Sequence, residues 1–346
     1  MYLMTKETLH PALLWQQLPA NQVKCLTCQW YCEINDGRTG VCRMYQNDGG
    51  RLFNLNYAKI SSMAVDPIEK KPLYHFHPGT SVLSLGSWGC NFHCKGCQNW
   101  EIACPADDEG LSGARQILPA QSVEMAVSSG CAGIAWTYNE PSIWLEYTLE
   151  SAKLAKEKGL YTVYVTNGYA SPEQIDIIGP YLDAWRVDVK GFTDDTYRKI
   201  ARIQHFEGIL AVAERAKEKW GMHVEVVTNV TPGLNDDDAQ LRGIADWIAG
   251  KLGKETPWHI TRFHPHYRMR EYPATPVETL ERAFQLGKAA GLRFVYLGNV
   301  PGNVHANTAC YSCNQQIVER SGFSAKIKAL DGTKCGHCGA DLNFCV

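Results

Sequence analysis

The sequence has no apolar run long enough to cross a membrane, and its charges almost cancel. Its 34 Lys and Arg residues stand against 36 Asp and Glu residues, which leaves a formal net charge of −2. A membrane-spanning helix needs about 20 predominantly apolar residues in a row, and a nucleic-acid-binding surface needs an excess of basic residues. We therefore expect neither a membrane segment nor a nucleic-acid partner.

The start of the chain lacks the apolar core of a secretory signal, because residues 1–18 include Lys6, Glu7 and two Gln. Cysteine, in contrast, is abundant, with 14 residues in a chain of 346. Disulfide frameworks are typical of short exported domains, whereas many cysteines in a long chain without an export signal indicate bound metal in a reducing compartment. We therefore predict a cytoplasmic, metal-binding protein.

Most of the cysteines fall into three regularly spaced groups. The groups are Cys25, Cys28, Cys32 and Cys42, then Cys90, Cys94 and Cys97, then Cys310, Cys313, Cys335 and Cys338. The last group consists of two C-x2-C knuckles, which are typical of a zinc ribbon, although a rubredoxin-like iron site uses the same ligands. The first group suits zinc or an auxiliary iron–sulfur cluster. We favour the cluster there, because the last group already offers a zinc site.

The second group has the spacing C-x3-C-x2-C and follows an apolar run at 81–85 that predicts a buried strand. Three thiolates at one strand end can bind three irons of a cubane cluster and leave the fourth iron without a protein ligand. An open iron on a reducing cluster is a place where a small molecule binds and accepts an electron. Half of a zinc site is the alternative interpretation of the bare triplet.

A connecting segment at 51–79 separates the first group from the second. It carries a pair of lysines, Lys70 and Lys71, and a pair of histidines, His75 and His77. Binding of substrate or phosphate is one interpretation of these residues. We favour the simpler one, which is a solvated surface with ordinary loop packing.

Strand and helix patterns alternate from residue 81 to residue 297. Strands are predicted at 81–85, 133–137, 161–166, 184–189, 223–230, 259–263 and 294–297, and helices at 120–128, 142–158, 172–177, 194–219, 236–249 and 276–289. This alternation predicts an α/β fold with a mostly parallel sheet. The number of repeats suits a partial (β/α)6-type barrel with its site at the C-terminal strand ends. We predict a cysteine-rich module at 1–79, a core at 80–302 and a C-terminal metal module at 303–346.

Polar segments stand where the predicted strands end. They are 138–141 (YNEP), 166–168 (TNG), 188–190 (DVK), 231–236 (TPGLND) and 262–265 (RFHP). Together with the triplet they resemble the radical S-adenosylmethionine (SAM) enzymes of the pyruvate formate-lyase activating group. The segments 66–73 (DPIEKKPL), 97–100 (CQNW) and 298–302 (GNVPG), with the C-terminal knuckles, are similar to AmmeMemoRadiSam system radical SAM enzymes. That resemblance covers nearly the whole chain.

The resemblance implies that the triplet holds a 4Fe–4S cluster that binds SAM and cleaves it to a 5′-deoxyadenosyl radical. The residues that it implies for cofactor binding, besides the three cysteines, are Asn139, Glu140, Thr166, Asn167, Asp188, Lys190 and His264. Glu140 is expected to accept a charge-assisted bond from the ammonium group of SAM. The chain departs from the family at Gly96, where many triplets carry an aromatic residue against adenine. We expect Phe92, Trp100 or backbone to take that role, and we assign no catalytic residue.

The resemblance leaves the substrate unknown and favours hydrogen abstraction from a peptide or protein. Activation of a glycyl-radical enzyme is one alternative. A non-enzymatic electron-transfer or zinc scaffold is another, although a scaffold has no need of the polar strand-end segments. The expected partners are a reductant such as flavodoxin or ferredoxin, a protein or peptide substrate, and proteins of the MEMO and AMMECR types.

Overall fold

The computed structural model describes residues 9–104, 111 and 114–346. Contacts divide the chain into two units. The first comprises the described residues of Met1–Val65, Leu83–His93 and Asn99–Asp183, and the second comprises Asp66–Val82, Cys94–Gln98 and Ala184–Val346. Within the described part of the chain, every helix is too short or too polar to span a bilayer. The three-part division proposed from the sequence stays a prediction.

Parallel strands and helices form the larger part of the first unit. Residues 83–86 of strand Ser81–Gly86 belong to the first unit. Strand Gly133–Trp136 pairs in parallel with Tyr161–Thr166. Every residue of these last two strands is buried, as parallel strands covered on both faces require. The helices of this unit are Trp100–Ala103, Pro119–Ser128, Leu145–Glu157 and Pro172–Ile178, with 3-10 turns at Pro141–Trp144 and Gly179–Tyr181.

Short antiparallel strands carry the N-terminal cysteines of the first unit. The strands are His10–Pro11, Trp15–Gln17, Val23–Cys25, Glu33–Ile34, Tyr45–Asp48, Arg51–Asn54, Lys59–Ile60 and Arg115–Gln116. The first part of Ser62–Pro67 also belongs to this unit. Val23–Cys25 lies between Trp15–Gln17 and Glu33–Ile34 in a three-stranded sheet. Its apolar residues pack in one core with Cys42 and Met44.

The second unit continues the same alternation of strand and helix. Its parallel strands lie in the order Ala184–Asp188, His223–Val230, Trp258–Arg262 and Val295–Gly298. Its helices are Asp194–Ala201, Glu207–Glu218, Asp238–Trp247 and Val277–Ala289, with a π-helix at Ile248–Leu252 and 3-10 turns at Ile68–Lys70 and Val304–Ala306. The α/β class is confirmed by these parallel pairs, and closure into a partial barrel stays a prediction.

The single helix predicted over 194–219 is wrong, because the chain turns sharply in its middle. Arg202 and His205 adopt the left-handed conformation, with φ of 61° and 62°. The turn lets the carboxylate of Asp194 accept a hydrogen bond from the N–H of Phe206 at 3.0 Å. It also stacks the rings of Tyr197 and Phe206, whose centroids are 5.6 Å apart. These contacts stabilise two short helices more than the additional backbone hydrogen bonds would stabilise one long helix.

The C-terminal strands share a core with the rest of the second unit. The strands are Thr308–Ala309, Gln316–Ser321, Ser324–Ile327, Leu330–Asp331 and Lys334–Cys335. Ile317 and Leu342 pack in this core with Tyr74 and Phe294, which belong to earlier parts of the chain. The C-terminal segment is therefore part of the folded second unit rather than a loosely attached appendage.

The second unit buries a carboxylate that is surrounded by donors. Glu225 accepts hydrogen bonds from the backbone N–H groups of Tyr74 and His75, and its oxygens lie 3.0 Å from His223 Nε2 and 2.5 Å from His259 Nε2. His75 is fully buried. His75 therefore belongs to the packed part of its loop and not to a solvated surface. Its backbone N–H supplies one of the donors that a buried carboxylate needs.

One residue of the lysine pair, Lys71, differs from the predicted solvated position. Lys71 is 4% exposed and its Nζ lies 2.9 Å from a carboxylate oxygen of Asp66, which is also buried. Lys70 lies 2.8 Å from the other oxygen of Asp66 and keeps a half-exposed side chain. Only Lys70 therefore belongs to a solvated surface, because Lys71 is paired inside the protein.

We expect stability to fall at alkaline pH because of His223. Burial lowers the pKa of His223, but hydrogen bonds with Cys345 and Glu225 raise it to about 9, above the ordinary value of 6.5. A raised pKa stabilises the folded state below the unfolded value, and this contribution is lost as pH rises through about 9. The free energy of unfolding, measured with denaturant, should therefore fall by an amount on the order of 3 kcal/mol between about pH 6.5 and pH 9. The His223→Gln variant should lose this part of the pH dependence, and an unchanged slope in that variant would contradict the assignment.

Candidate active site

The side chain of Asn139 holds the loop that precedes Cys90 in the first unit. Asn139 follows strand Gly133–Trp136, and its Oδ1 accepts a hydrogen bond from the backbone N–H of Ser87 at 3.0 Å. Its Nδ2 donates to the carbonyl oxygen of Gly89 at 2.9 Å. The structure thus places this predicted site residue beside the cysteine loop, where it orients the backbone.

The carboxylate of Glu140 is buried and held by donors of the protein itself. Oε1 accepts from the backbone N–H and the hydroxyl of Ser142, at 2.9 and 2.6 Å, and from the hydroxyl of Thr166 at 2.7 Å. Oε2 accepts from the backbone N–H of Asn167 at 2.8 Å. Burial raises the pKa of the Glu140 carboxyl, while these donors act to lower it. Glu140 therefore joins the ends of two neighbouring parallel strands.

Asn167 connects this network to the first cysteine of the triplet. Its Nδ2 lies 3.8 Å from the sulfur of Cys90 and donates to Oδ1 of Asn91 at 2.8 Å. The backbone N–H of Phe92 lies 3.4 Å from the same sulfur. Such donors stabilise a thiolate, which is the form of cysteine that binds metal. The environment of Cys90 therefore fits a cluster ligand.

Asn91 is a site residue that the sequence did not indicate. Its side chain is buried, and its Nδ2 has no hydrogen-bond acceptor among the residues that the structure describes. A buried amide without a partner is costly in a protein, unless a bound group accepts from it. Asn91 is therefore positioned to donate to a cofactor at Cys90, although no motif spacing marks it.

In the second unit, backbone hydrogen bonds hold the segment that contains Cys94 and Cys97. The N–H of Lys95 donates to the carbonyl oxygen of Ile200 at 3.0 Å, and the carbonyl oxygen of Lys95 accepts from the N–H of Arg268 at 2.9 Å. The N–H of Cys97 donates to the carbonyl oxygen of Cys94 at 3.3 Å. The segment is thus fixed by two distant parts of its unit.

Asp188 and Lys190 form an ion pair at the end of strand Ala184–Asp188. Nζ of Lys190 lies 2.9 Å from one carboxylate oxygen of Asp188, and Arg186 bonds to the other. Burial raises the pKa of Asp188, but the two neighbouring cations lower it to about 2. Cys94 also acts electrostatically on Lys190. The pair therefore lies near the part of the triplet that belongs to the second unit.

The C-terminal cysteines lie at distances that suit a single metal ion. The sulfur of Cys310 is 3.6 Å from that of Cys338, and the sulfur of Cys313 is 3.7 Å from that of Cys335. All four sulfur atoms lie within 4.8 Å of one another. Thiolates bound tetrahedrally to one zinc ion at about 2.3 Å stand about 3.8 Å apart. The geometry therefore fits a tetrahedral metal site.

The N-terminal cysteines are spread more widely. Cys25, Cys28 and Cys42 are buried, and Cys32 is half-buried. Among the described residues, which include all four, only the C-terminal group has ligand atoms that all lie within 4.8 Å of one another. Burial raises the pKa of the Cys25 and Cys42 thiols to about 12. Without a metal these two side chains are therefore neutral thiols at neutral pH.

Comparison with known proteins identifies the family. The profile described as "Radical SAM superfamily" matches residues 87–248. An uncharacterized protein of Methanocaldococcus jannaschii is 40% identical over 335 residues, which are 96% of this chain and 98% of that protein. The chain belongs to the radical SAM superfamily.

Two further similarities have lower sequence identity. The pyruvate formate-lyase-activating enzyme of Clostridium pasteurianum is 22% identical over 56% of this chain and 82% of that enzyme. A solved domain of pyruvate-formate lyase-activating enzyme from Bacteroides vulgatus is 17% identical, covers 48% of this chain and 99% of that domain, and has a TM-score of 0.41. Membership in the superfamily implies a 4Fe–4S cluster and SAM as cofactors.

The missing aromatic residue of this radical SAM triplet has a structural explanation. A Cβ atom at Gly96 would lie 3.1 Å from the sulfur of Met269 and 3.4 Å from the ring of Phe263. Both of those side chains are buried, so they fill the volume that an aromatic side chain would need. Sequence reasoning missed them because they lie far along the chain. His264, the neighbour of Phe263, is exposed.

Proposed function

We propose that the chain cleaves SAM reductively at a 4Fe–4S cluster held by Cys90, Cys94 and Cys97, and that the 5′-deoxyadenosyl radical abstracts hydrogen from a peptide or protein. The observation that carries this proposal is the network that runs from Glu140 through Asn167 to Cys90. It consists of buried polar side chains at the ends of parallel strands, where α/β enzymes bind ligands.

The residues of the chain have separable roles in this proposal. Glu140 positions Asn167, because its carboxylate is occupied by protein donors. Asn91 offers its Nδ2 to the bound cofactor, and Asp188 orients Lys190 beside Cys94. The cluster supplies the electron for SAM cleavage when it is bound. A direct bond between Glu140 and the ammonium group of SAM remains the alternative to a positioning role.

The substrate class is proposed from one relative and from the flanking segments. Similarity to a pyruvate formate-lyase-activating enzyme supports activation of a glycyl-radical enzyme as the second candidate function. Because the segments at 66–73, 97–100 and 298–302 resemble those of AmmeMemoRadiSam system enzymes, proteins of the MEMO and AMMECR types are the first partners to test. We also propose flavodoxin or ferredoxin as reductant and the reducing cytoplasm as the compartment, in keeping with free cysteines throughout the chain.

An anaerobic incubation with SAM, reduced flavodoxin and one candidate partner tests this function. We expect 5′-deoxyadenosine to form, together with a change in the mass of the partner or a glycyl-radical signal in its electron paramagnetic resonance (EPR) spectrum. Deuterium placed in the partner should appear in the 5′-deoxyadenosine, because hydrogen abstraction transfers that atom. Formation of 5′-deoxyadenosine without transfer from any peptide or protein would refute the substrate class.

Removing the C-terminal metal should destabilise the second unit. Cys310 and Cys335 pack in one buried core with Tyr74 and Phe294, so loss of the ion frees strands that complete this core. We expect chelation to release about one zinc ion per chain and to lower the melting temperature, measured by metal analysis and calorimetry. The Cys131→Ala variant should keep its zinc. A C-terminal segment that resists protease after exhaustive chelation would contradict a structural ion.

A further inference from the structure

The N-terminal cysteines touch the chain on both sides of Cys90 within the first unit. A Cβ atom at Gly89 would lie 2.7 Å from the carbonyl oxygen of Cys42 and 2.5 Å from the side chain of Met44. A glycine is therefore required there, because any side chain would push this segment away. The backbone that precedes Cys90 thus packs directly against the backbone of one N-terminal cysteine.

A second contact reaches the residue that follows Cys90. Trp30, two residues beyond Cys28, donates its indole N–H to the carbonyl oxygen of Asn91 at 2.7 Å. Cys28 also forms a β-bridge with Ala170, which lies in the loop that contains Asn167. The N-terminal cysteines are therefore connected to Cys90 by two short routes, each of which crosses one close packing contact or hydrogen bond.

The distances between these thiols distinguish a cluster site from a site for a single ion. Thiolates around one ion share a centre and stand about 3.8 Å apart, as the C-terminal group does. The N-terminal thiols, in contrast, do not all lie within 4.8 Å of one another. Thiolates of a cubane bind separate irons at its corners and are accordingly spread more widely.

The surroundings of the thiols also match those of a redox cluster. The backbone N–H of Met44 lies 3.5 Å from the sulfur of Cys42, and apolar residues including Val23, Ile34 and Leu52 enclose the buried cysteines. Hydrogen bonds to sulfur and burial set the reduction potential of such clusters. Cys32 is half-buried beside exposed residues at 35–39, so this corner of the group faces solvent.

We propose that Cys25, Cys28, Cys32 and Cys42 hold a second 4Fe–4S cluster that relays electrons from the surface to the cluster at Cys90. The relay rests on the proposed function, since it presupposes a cluster at the triplet. One electron passes from a reduced flavodoxin- or ferredoxin-type donor to the N-terminal cluster, which goes from the 2+ to the 1+ state. The same electron then passes to the Cys90 cluster, so the donor is oxidised by one electron for each SAM cleaved.

Metal analysis of a variant without the triplet tests the second cluster independently of SAM chemistry. The Cys90→Ala/Cys94→Ala/Cys97→Ala variant, reconstituted anaerobically, should retain about four irons and four sulfides and show the EPR signal of a reduced cluster. Zinc without iron in this variant would overturn the proposal. A third outcome separates the two proposals. If the triple variant retains iron but the wild-type protein does not cleave SAM, the proposed function is refuted and the second cluster is still supported.

Two measurements test the relay itself. In the wild-type protein with both clusters reduced, the EPR spectrum should show spin coupling, and a plain sum of the two single-cluster spectra would argue against close approach. In the Cys32→Ala variant, reduction of the Cys90 cluster by flavodoxin should be lost, whereas dithionite should still reduce it. Cys131→Ala is the matched control and should behave like the wild type. Unchanged reduction by flavodoxin in Cys32→Ala would exclude the relay.

Discussion

Replacing Cys90, Cys94 and Cys97 together with alanine should abolish reductive cleavage of SAM. Three thiolates are the ligands that the chain offers to a cluster with an open iron, and each alanine removes one of them. The expected result is complete loss of 5′-deoxyadenosine formation in anaerobic assays with reductant. The protein should nevertheless stay folded, because these side chains are half-buried rather than part of the core.

Cys131 provides the control for this experiment. It is a buried cysteine of the first unit that belongs to none of the three groups, so Cys131→Ala should leave SAM cleavage unchanged. Circular dichroism of the triple variant should match that of the wild type. SAM cleavage at the wild-type rate in the triple variant would show that the cluster resides elsewhere in the chain.

Replacing Glu140 with glutamine should weaken SAM binding roughly tenfold to a hundredfold, because it disrupts a hydrogen bond that holds Asn167 beside Cys90. A hydrogen bond to a charged group contributes about 1.5–3 kcal/mol, and the expected factor takes this loss as passed on to SAM binding. The amide keeps the size of the side chain but turns one acceptor into a donor. That donor would face one of the groups that now donate to the carboxylate, namely Ser142, Thr166 or Asn167. Calorimetric titration of the reconstituted protein with SAM measures the change.

Glu146 offers a matched control for Glu140. It is also a buried glutamate of the first unit, and its carboxylate accepts hydrogen bonds from the N–H of Leu13 at 2.9 Å and the hydroxyl of Tyr45 at 2.8 Å. Glu146→Gln should therefore lower stability without changing the affinity for SAM. Unchanged SAM affinity in Glu140→Gln would falsify the positioning role, whereas equal losses in both variants would indicate a general effect of instability.

The strands could be predicted from sequence because their residues satisfy local requirements. Tyr161–Thr166 and His223–Val230 have the predicted bounds, since both are rich in β-branched residues. The break at Arg202 could not be predicted, because an arginine in the left-handed conformation has no local signature. It is imposed by contacts between Tyr197 and Phe206 that form only after the chain has turned.

The candidate site was predictable in its positions but not in its contacts. The sequence places Glu140 and Asn167 at strand ends, yet it does not show that the carboxylate of one holds the backbone of the other. The same limit applies to Lys71, whose charge suggests a surface until Asp66 is seen beside it. Phe263 is missed for a related reason, because its packing against Gly96 joins distant segments.

The hydrogen bond between His75 and the carbonyl oxygen of Leu342 joins residues that are 267 positions apart. At a synthesis rate of about 5–20 residues per second, His75 is synthesised roughly 13–53 s before Leu342. In the last part of that interval, after His259 has been made, Glu225 and its histidine neighbours still lack the C-terminal strands. Until the C-terminal strands are made, the nascent chain lacks the residues that pack against Tyr74 and Phe294 in the folded unit.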